Sequence, residues 1–240
     1  MIEQLLTDLK LFGALEFYNE HFDSSVSLEK ILQGMLSNEK DRRSKQALKR
    51  RLSSALFPYV REWEQIEEEK NGEIPFRKIK IFSNGEFIKS KSNICLVGAP
   101  GLGKTHSLVA IGRDLCRQGF NVKFYTACDL VNHLEEAKKN LELIKFMDKI
   151  LAPQLLIIDE LGFVPFSENG ARLLFDVFSK RYERGSIAVS TNLAFNKWAE
   201  IFGSIELTTA LIDRFTHNCE IYTYKGQSIR FKQSKEKISV

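Results

Sequence analysis

Eight residues, Gly98-Ala99-Pro100-Gly101-Leu102-Gly103-Lys104-Thr105, fit the pattern G-x-x-x-x-G-K-[ST]. In such a loop Gly98, Gly101 and Gly103 let the backbone turn inward so that successive N–H groups face an anion. The N-terminus of a following helix adds its partial positive charge. Lys104 would reach the β- and γ-phosphates of a nucleotide, and the Thr105 hydroxyl would hold a magnesium ion. A glycine-rich turn that binds nothing is the competing reading. The frame argues against it: Asn93-Ile94-Cys95-Leu96-Val97 reads as a buried strand, and His106 to Gln118 as a proline-free helix ending at Gly119.

Phosphate binding alone is not hydrolysis. The run Leu155-Leu156-Ile157-Ile158-Asp159-Glu160 is an apolar strand ending in two carboxylates. Asp159 is expected at the carboxyl edge of the sheet beside the phosphate loop, holding magnesium together with Thr105. Glu160 would polarise an attacking water as general base. Asn192, after Val189-Ser190-Thr191, ends another strand and could hydrogen-bond that water or the γ-phosphate, although a strand-ending Asn also suits a turn. An arginine is needed to neutralise transition-state charge and in an oligomer can come from a neighbour. Arg214, in Leu211-Ile212-Asp213-Arg214-Phe215, is the first candidate; Arg181 and Arg184 are the second.

The elements that must carry these residues alternate β and α, the pattern of an α/β fold with a parallel sheet and crossover helices. Val122 to Tyr125 reads as a second strand, and Asp129 can cap a helix running towards Lys149. A helix is expected over Glu168 to Arg184, closed by Gly185, then a strand from Ile187 to Thr191. Short helices over Asn196 to Ile201 and Thr209 to Phe215 precede a last strand from Cys219 to Tyr222.

Met1 to about Tyr59 reads as helical. Ile2, Leu5, Leu6 and Leu9 recur at helical spacing, as do Leu28, Ile31, Leu32, Met35 and Leu36 behind Ser27 as N-cap. Glu39 to Arg51 carries Lys40, Arg42, Arg43, Lys45, Lys49, Arg50 and Arg51 against Glu39 and Asp41, with Leu48, Leu52 and Leu56 as an apolar stripe. Such a helix suits phosphate contact, since each neutralised phosphate releases counterions; a solvated helix face would carry the same pattern. The sign then reverses through Glu62, Glu64, Glu67, Glu68, Glu69 and Glu73, and Asn71-Gly72 and Pro75 mark a boundary. Arg77, Lys78, Lys80, Lys89 and Lys91 lead into the sheet, and Lys225, Arg230, Lys232, Lys235 and Lys237 face only Glu236 in the tail. The expected domains are therefore 1–72, 73–224 and a basic tail, 225–240.

At 240 residues, 43% hydrophobic and 28% charged, the composition is that of a globular chain, and the net charge of +4 says little by itself. No run approaches a membrane span and no leader pattern opens the chain, so a cytoplasmic protein is expected. Cys95, Cys116, Cys128 and Cys219 form no C-x-x-C pair, and His21, His106, His133 and His217 are dispersed, so any metal should arrive with the nucleotide.

The order Gly98 to Thr105, Leu155 to Glu160, Ser190-Thr191-Asn192 and Asp213-Arg214-Phe215 resembles AAA+ ATPases. Ile158-Asp159-Glu160-Leu161-Gly162, Arg181-Tyr182-Glu183-Arg184 and Leu211 to Asn218 followed by Lys225-Gly226-Gln227-Ser228-Ile229-Arg230 narrow the resemblance to IstB-like transposition helpers, with DnaC-type helicase loaders as relatives. The resemblance implies an ATP-binding, magnesium-dependent ATPase that assembles as a homo-oligomer on duplex DNA and delivers it to a transposase. It assigns Lys104 to phosphate, Thr105 and Asp159 to magnesium, Glu160 to water activation, Asn192 to sensing and Arg214 to action in trans. The short run after the last strand leaves no room for a helical lid, and adenine contacts are unassigned.

Two other readings stay open. A helicase loader would use the N-terminal helices to dock on a replicative helicase and would bind duplex DNA weakly. A small-molecule kinase would share the loop, but the Asp159-Glu160 pair and a separate sensor strand suit water activation better.

Overall fold

The aliphatic runs become strands because a parallel sheet covered on both faces needs near-continuous apolar sequence. The computed structural model describes residues 1–22, 26–67, 76–226 and 228. The chain divides into two compact units, Met1–Arg51 and Leu52–Val240. That division falls upstream of the Asn71 to Pro75 break, which lies outside the described residues together with Glu68, Glu69 and Glu73.

The first unit contains α1 (Ile2–Asp8), α2 (Phe12–His21) and most of α3 (Leu28–Ala55), which begins directly after Ser27. Leu6, Ala14, Ile31 and Met35 form its small core, with Leu11, Leu15, Phe17 and Tyr18 packed against them. Glu39, one of two acids in the basic run, is only 5% exposed. Its carboxylate accepts from the Gly13 amide at 2.7 Å and the Ala14 amide at 3.4 Å in the first turn of α2, and from Arg43 Nε at 2.6 Å. Arg42 stacks its guanidinium over Phe12. Two of the basic residues thus serve the unit itself, while Lys40, Lys45, Lys49 and Arg50 are exposed. Leu56 falls beyond the helix and is 51% exposed, so the apolar stripe ends at Leu52.

Burial alone would raise the Glu39 carboxyl, but Arg43 and the Gly13 and Ala14 amides outweigh it and hold the group below its ordinary value. A carboxyl depressed on folding stabilises the fold above its unfolded pKa, and this support is lost as pH falls through the lower folded value. Glu39→Ala is expected to cost the first unit about 1–3 kcal/mol, the penalty for stranding buried donors. Hydrogen exchange at the Gly13 and Ala14 amides should quicken accordingly, and wild-type exchange there should approach the variant's in acid.

In the second unit, α4 (Trp63–Glu67), α5 (Phe76–Lys80), a 3-10 turn over Ile81–Asn84 and α6 (Glu86–Lys89) precede the sheet. There follow β1 (Asn93–Gly98), α7 (Lys104–Arg117), β2 (Val122–Thr126), α8 (Ala127–Lys139), α9 (Leu143–Leu151) and β3 (Leu155–Leu161). Then come α10 (Glu168–Arg181), β4 (Ser186–Thr191), α11 (Ala199–Phe202), α12 (Ile205–Thr216) and β5 (Cys219–Tyr224). The five strands are parallel in the order β2-β3-β4-β1-β5. Leu156 and Ile158 of β3, with Ile187 and Val189 of β4, share one core with Leu130, Leu134, Leu174, Phe178, Leu211 and Phe215 from α8, α10 and α12. The alternate residue Ile157 faces the other way and meets α7 at Gly112. Helix α7 is fixed from outside by Trp63, whose Nε1 donates to Asp114 at 2.9 Å, and by Glu62, which pairs with Arg113 and Arg117.

Several expected boundaries shift. The helix expected from Asp129 to Lys149 is two: α8 ends at Lys139, Leu141 adopts φ 59°, and α9 restarts with its apolar positions Leu143, Met147 and Ile150 out of phase with those of α8. Its cap is Thr126, not Asp129; the Thr126 hydroxyl accepts from the Asp129 amide and donates to the Asp129 carboxylate, a reciprocal cap. Helix α10 stops at Arg181, and residues 182–184 form a turn. Helix α12 starts four residues early because Ser204 caps it. After β5, residue 227 and residues 229–240 lie outside the described residues, and with them Arg230, Lys232, Lys235, Glu236, Lys237 and the question of a lid. Among the described residues no helix is long and apolar enough to cross a membrane.

Candidate active site

β1 delivers the chain into the loop at Gly98, and α7 begins at Lys104 with Gly103 as its cap at φ 85°. A side chain at Gly103 would resist that left-handed conformation. The amides of the first helical turn have no carbonyl one turn earlier to bond, so they and the helix dipole offer an anion site. Lys104 is 8% exposed, and its Nζ donates to the Gly98 carbonyl at 2.6 Å and the Ala99 carbonyl at 2.9 Å. The ammonium is thus held on the loop itself, where phosphate oxygens are stronger partners than neutral carbonyls.

Asp159 lies near the carboxyl end of β3, and β4 stands between that strand and β1. The start of α7 closes the gap, and Thr105 Oγ1 donates to Asp159 Oδ1 at 3.1 Å. The intervening strand contributes Ser190, whose hydroxyl donates to the same carboxylate oxygen and accepts from the Glu160 amide at 3.0 Å. Asp159 is 2% exposed, and burial pushes its carboxyl up while Ser190, Thr105 and the Glu160 amide pull it back. Such a buried acid suits a cation neighbour. Magnesium takes one or two protein oxygens and fills the rest with phosphate and water, which fits a Thr105 hydroxyl beside one carboxylate. Among the described residues no three His, Cys, Asp or Glu converge as a self-sufficient metal site.

Glu160 departs from the strand. The β3–β4 register shifts between Ile158 and Leu161, and Glu160 takes φ 59°. A non-glycine residue in that region carries strain, and a bulge re-aims its side chain. Glu160 is accordingly exposed beside buried Asp159. Asn192 follows β4 and approaches the turn after Glu160 at Gly162; its Oδ1 is buried and has no hydrogen-bond partner. An orphaned acceptor at the turn that follows Glu160 is a place for a water O–H.

The three candidate arginines separate. Arg214 lines a cavity of about 360 Å³ with Ser90, Lys91, Asn93, His217 and Asn218, donates to the Ala210 carbonyl at 2.9 Å and lies over the Phe175 ring. Ser90 to Asn93 enter β1, whereas the phosphate loop leaves it, so the length of β1, about 16 Å at 3.3 Å per residue, separates Arg214 from its own loop. Arg181 is excluded: it is 1% exposed and donates to the carbonyls of Ile150, Leu151, Pro153, Gln154 and Ser186. Arg184 is exposed in the turn after α10.

Ser190 was not among the residues expected here. Its signal is the first hydroxyl after Ile187-Ala188-Val189, readable only once β4 is known to lie against β3.

A parallel sheet in this order, with a phosphate loop after β1 and a buried aspartate near the end of β3, defines an ATP-binding protein of the AAA+ P-loop class. The chain belongs to the IstB-like ATP binding protein family, whose model matches residues 5–237. It is 35% identical over 197 residues to the protein named as the ATP-binding protein of insertion sequence IS5376 from Geobacillus stearothermophilus, covering 82% of this chain and 77% of that one. It is 29% identical over 243 residues to the corresponding IS21 protein of Pseudomonas aeruginosa, covering 98% of this chain and 90% of the relative. The crystal structure of the DnaC helicase loader shares the fold, with a TM-score of 0.56 and 21% identity over 74% of this chain and 99% of that one.

Proposed function

We propose that this chain is an ATP-dependent, DNA-binding helper of insertion-sequence transposition, which assembles as a homo-oligomer on duplex DNA and hands that DNA to a transposase. The observation that carries this reading is its membership of a family whose relatives are ATP-binding proteins of insertion sequences. The site geometry supports hydrolysis. Lys104 exchanges the Gly98 and Ala99 carbonyls for β- and γ-phosphate oxygens. Thr105 and Asp159 would hold Mg²⁺, which neutralises charge on the phosphates. Glu160 takes a proton from water as the water oxygen bonds the γ-phosphorus, and the bond to the bridging oxygen breaks to leave ADP and phosphate. Asn192 Oδ1 accepts the water's second hydrogen.

Arg214 supports the oligomer. It stands at the wrong edge of the sheet to serve its own nucleotide, yet a head-to-tail neighbour could receive it. The exposed Lys40, Lys45, Lys49 and Arg50 would contact DNA phosphates.

Complementation tests the hydrolytic part. Glu160→Gln and Arg214→Ala are each expected to lose most ATP hydrolysis, about a hundredfold or more. Mixed in equal amounts they should recover up to about a quarter of the wild-type rate, since random head-to-tail mixing pairs an intact Glu160 with a neighbour's Arg214 at that frequency. Two inactive variants that stay inactive when mixed would contradict supply in trans.

A further inference from the structure

The Ser190 hydroxyl sits where two strands fall out of step. Between the pairs Ile158–Val189 and Leu161–Thr191, β3 has two residues, Asp159 and Glu160, where β4 has one, Ser190. Such a bulge interrupts the ladder and turns the extra residue's side chain. Glu160, at φ 59°, accordingly gives its amide proton to a side chain: Ser190 Oγ accepts it at 3.0 Å. An amide N–H can only donate, so the hydroxyl's own proton must go elsewhere, and it goes to Asp159 Oδ1. The same carboxylate oxygen accepts from Thr105 at 3.1 Å, and the Glu160 amide bonds the Asp159 carboxylate as well. Ser190 is 1% exposed, and its backbone lies on β4 between β3 and β1, in register with Leu96. A hydroxyl fixed on an interior strand thus joins the start of α7, through Thr105 and Asp159, to the backbone of Glu160.

We propose that Ser190 is a positioning residue for hydrolysis, whose hydroxyl holds the bulge that turns the Glu160 carboxylate out of the strand while Asp159 beside it stays buried. The inference rests on the reading of Glu160 as the base that takes a proton from water. A non-glycine residue at positive φ keeps that conformation only where its surroundings enforce it, and the Ser190 hydroxyl is one of the groups that do so. Without it the carboxylate is less closely placed, and a displacement of about 1 Å can cost a hundredfold in rate. Phosphate binding rests instead on Lys104 and the amides of the loop. Loss of Ser190 therefore falls on the hydrolytic step and spares affinity.

The test compares wild type, Ser190→Ala, Ser190→Thr, Glu160→Gln and the double variant Ser190→Ala/Glu160→Gln, each as the full chain. It measures single-turnover ATP hydrolysis and titration with a fluorescent ATP analogue, then thermal unfolding and exchange of the Glu160 amide without nucleotide. Ser190→Ala should bind within about twofold of wild type but hydrolyse about ten- to a hundredfold more slowly. Its Glu160 amide should exchange about fivefold faster, the worth of one ordinary hydrogen bond. Ser190→Thr keeps the hydroxyl on a residue suited to a strand, and should stay within about threefold of wild type in both. The double variant should hydrolyse within about twofold of Glu160→Gln, because a residue that acts through Glu160 has nothing left to position. Wild-type hydrolysis in Ser190→Ala would overturn the proposal, as would its full loss added again in the double variant, or an equal defect in Ser190→Thr at an unchanged melting temperature. A Glu160→Gln variant that hydrolysed like wild type would instead remove the base reading beneath it, which separates the two failures.

Discussion

Lys104→Ala is expected to weaken ATP binding by about a hundred- to thousandfold, because two or more charge-assisted hydrogen bonds to phosphate oxygens disappear together. Hydrolysis should fall to background with it. The fold should survive, since the Gly98 and Ala99 carbonyls that Lys104 bonds lie at the loop, where solvent or ligand can replace the donor. Titration with a fluorescent nucleotide checks the first part and circular dichroism the second. Lys104→Arg should not rescue, because the compact ammonium threads between two loop carbonyls where a planar guanidinium has no room to do the same.

The second large effect is on stability and lies far from the loop. Arg181→Ala is expected to cost about 3–5 kcal/mol and to lower the melting temperature by about 10 °C. Arg181 ties the end of α9, residues Pro153 and Gln154 before β3, and Ser186 at the start of β4 into one buried junction through five carbonyl bonds. Burial draws its guanidinium down to about 10, still protonated at neutral pH. Truncation would leave several buried carbonyls without donors at once, the condition under which single substitutions exceed the usual range. Thermal unfolding measures it. If the role were instead to meet a neighbour's nucleotide, the variant would melt like wild type and lose only hydrolysis.

Arg181 also marks where sequence stops informing. In Arg181-Tyr182-Glu183-Arg184 it is indistinguishable from a surface arginine, because four of the five carbonyls that hold it come from residues 27 to 31 positions earlier and meet it only in three dimensions. The phosphate loop was legible for the opposite reason: its function resides in consecutive residues, so spacing alone carries the geometry. Asp159 was legible as the polar end of an aliphatic strand, but its route to Thr105 was not, since strand order decides that β4 intervenes and that Ser190 completes the contact. Glu39 reads as a stray acid in a basic run; only the close approach of α2 to α3 at Gly13 turns it into a buried cap. The break at Leu141 is hidden because a leucine there continues the apolar rhythm of α8, yet the residue is 95% exposed.

The most direct test of the account is binding of the full chain to random-sequence duplex DNA with ATP, with ADP and without nucleotide, at two salt concentrations, alongside Lys104→Ala. The account predicts tight binding with ATP that falls steeply with salt and is lost in the variant, as expected where lysine and arginine displace counterions from the backbone. Binding that is absent, or indifferent to nucleotide, would contradict it, and would turn attention to a replicative helicase as the partner of the N-terminal helices.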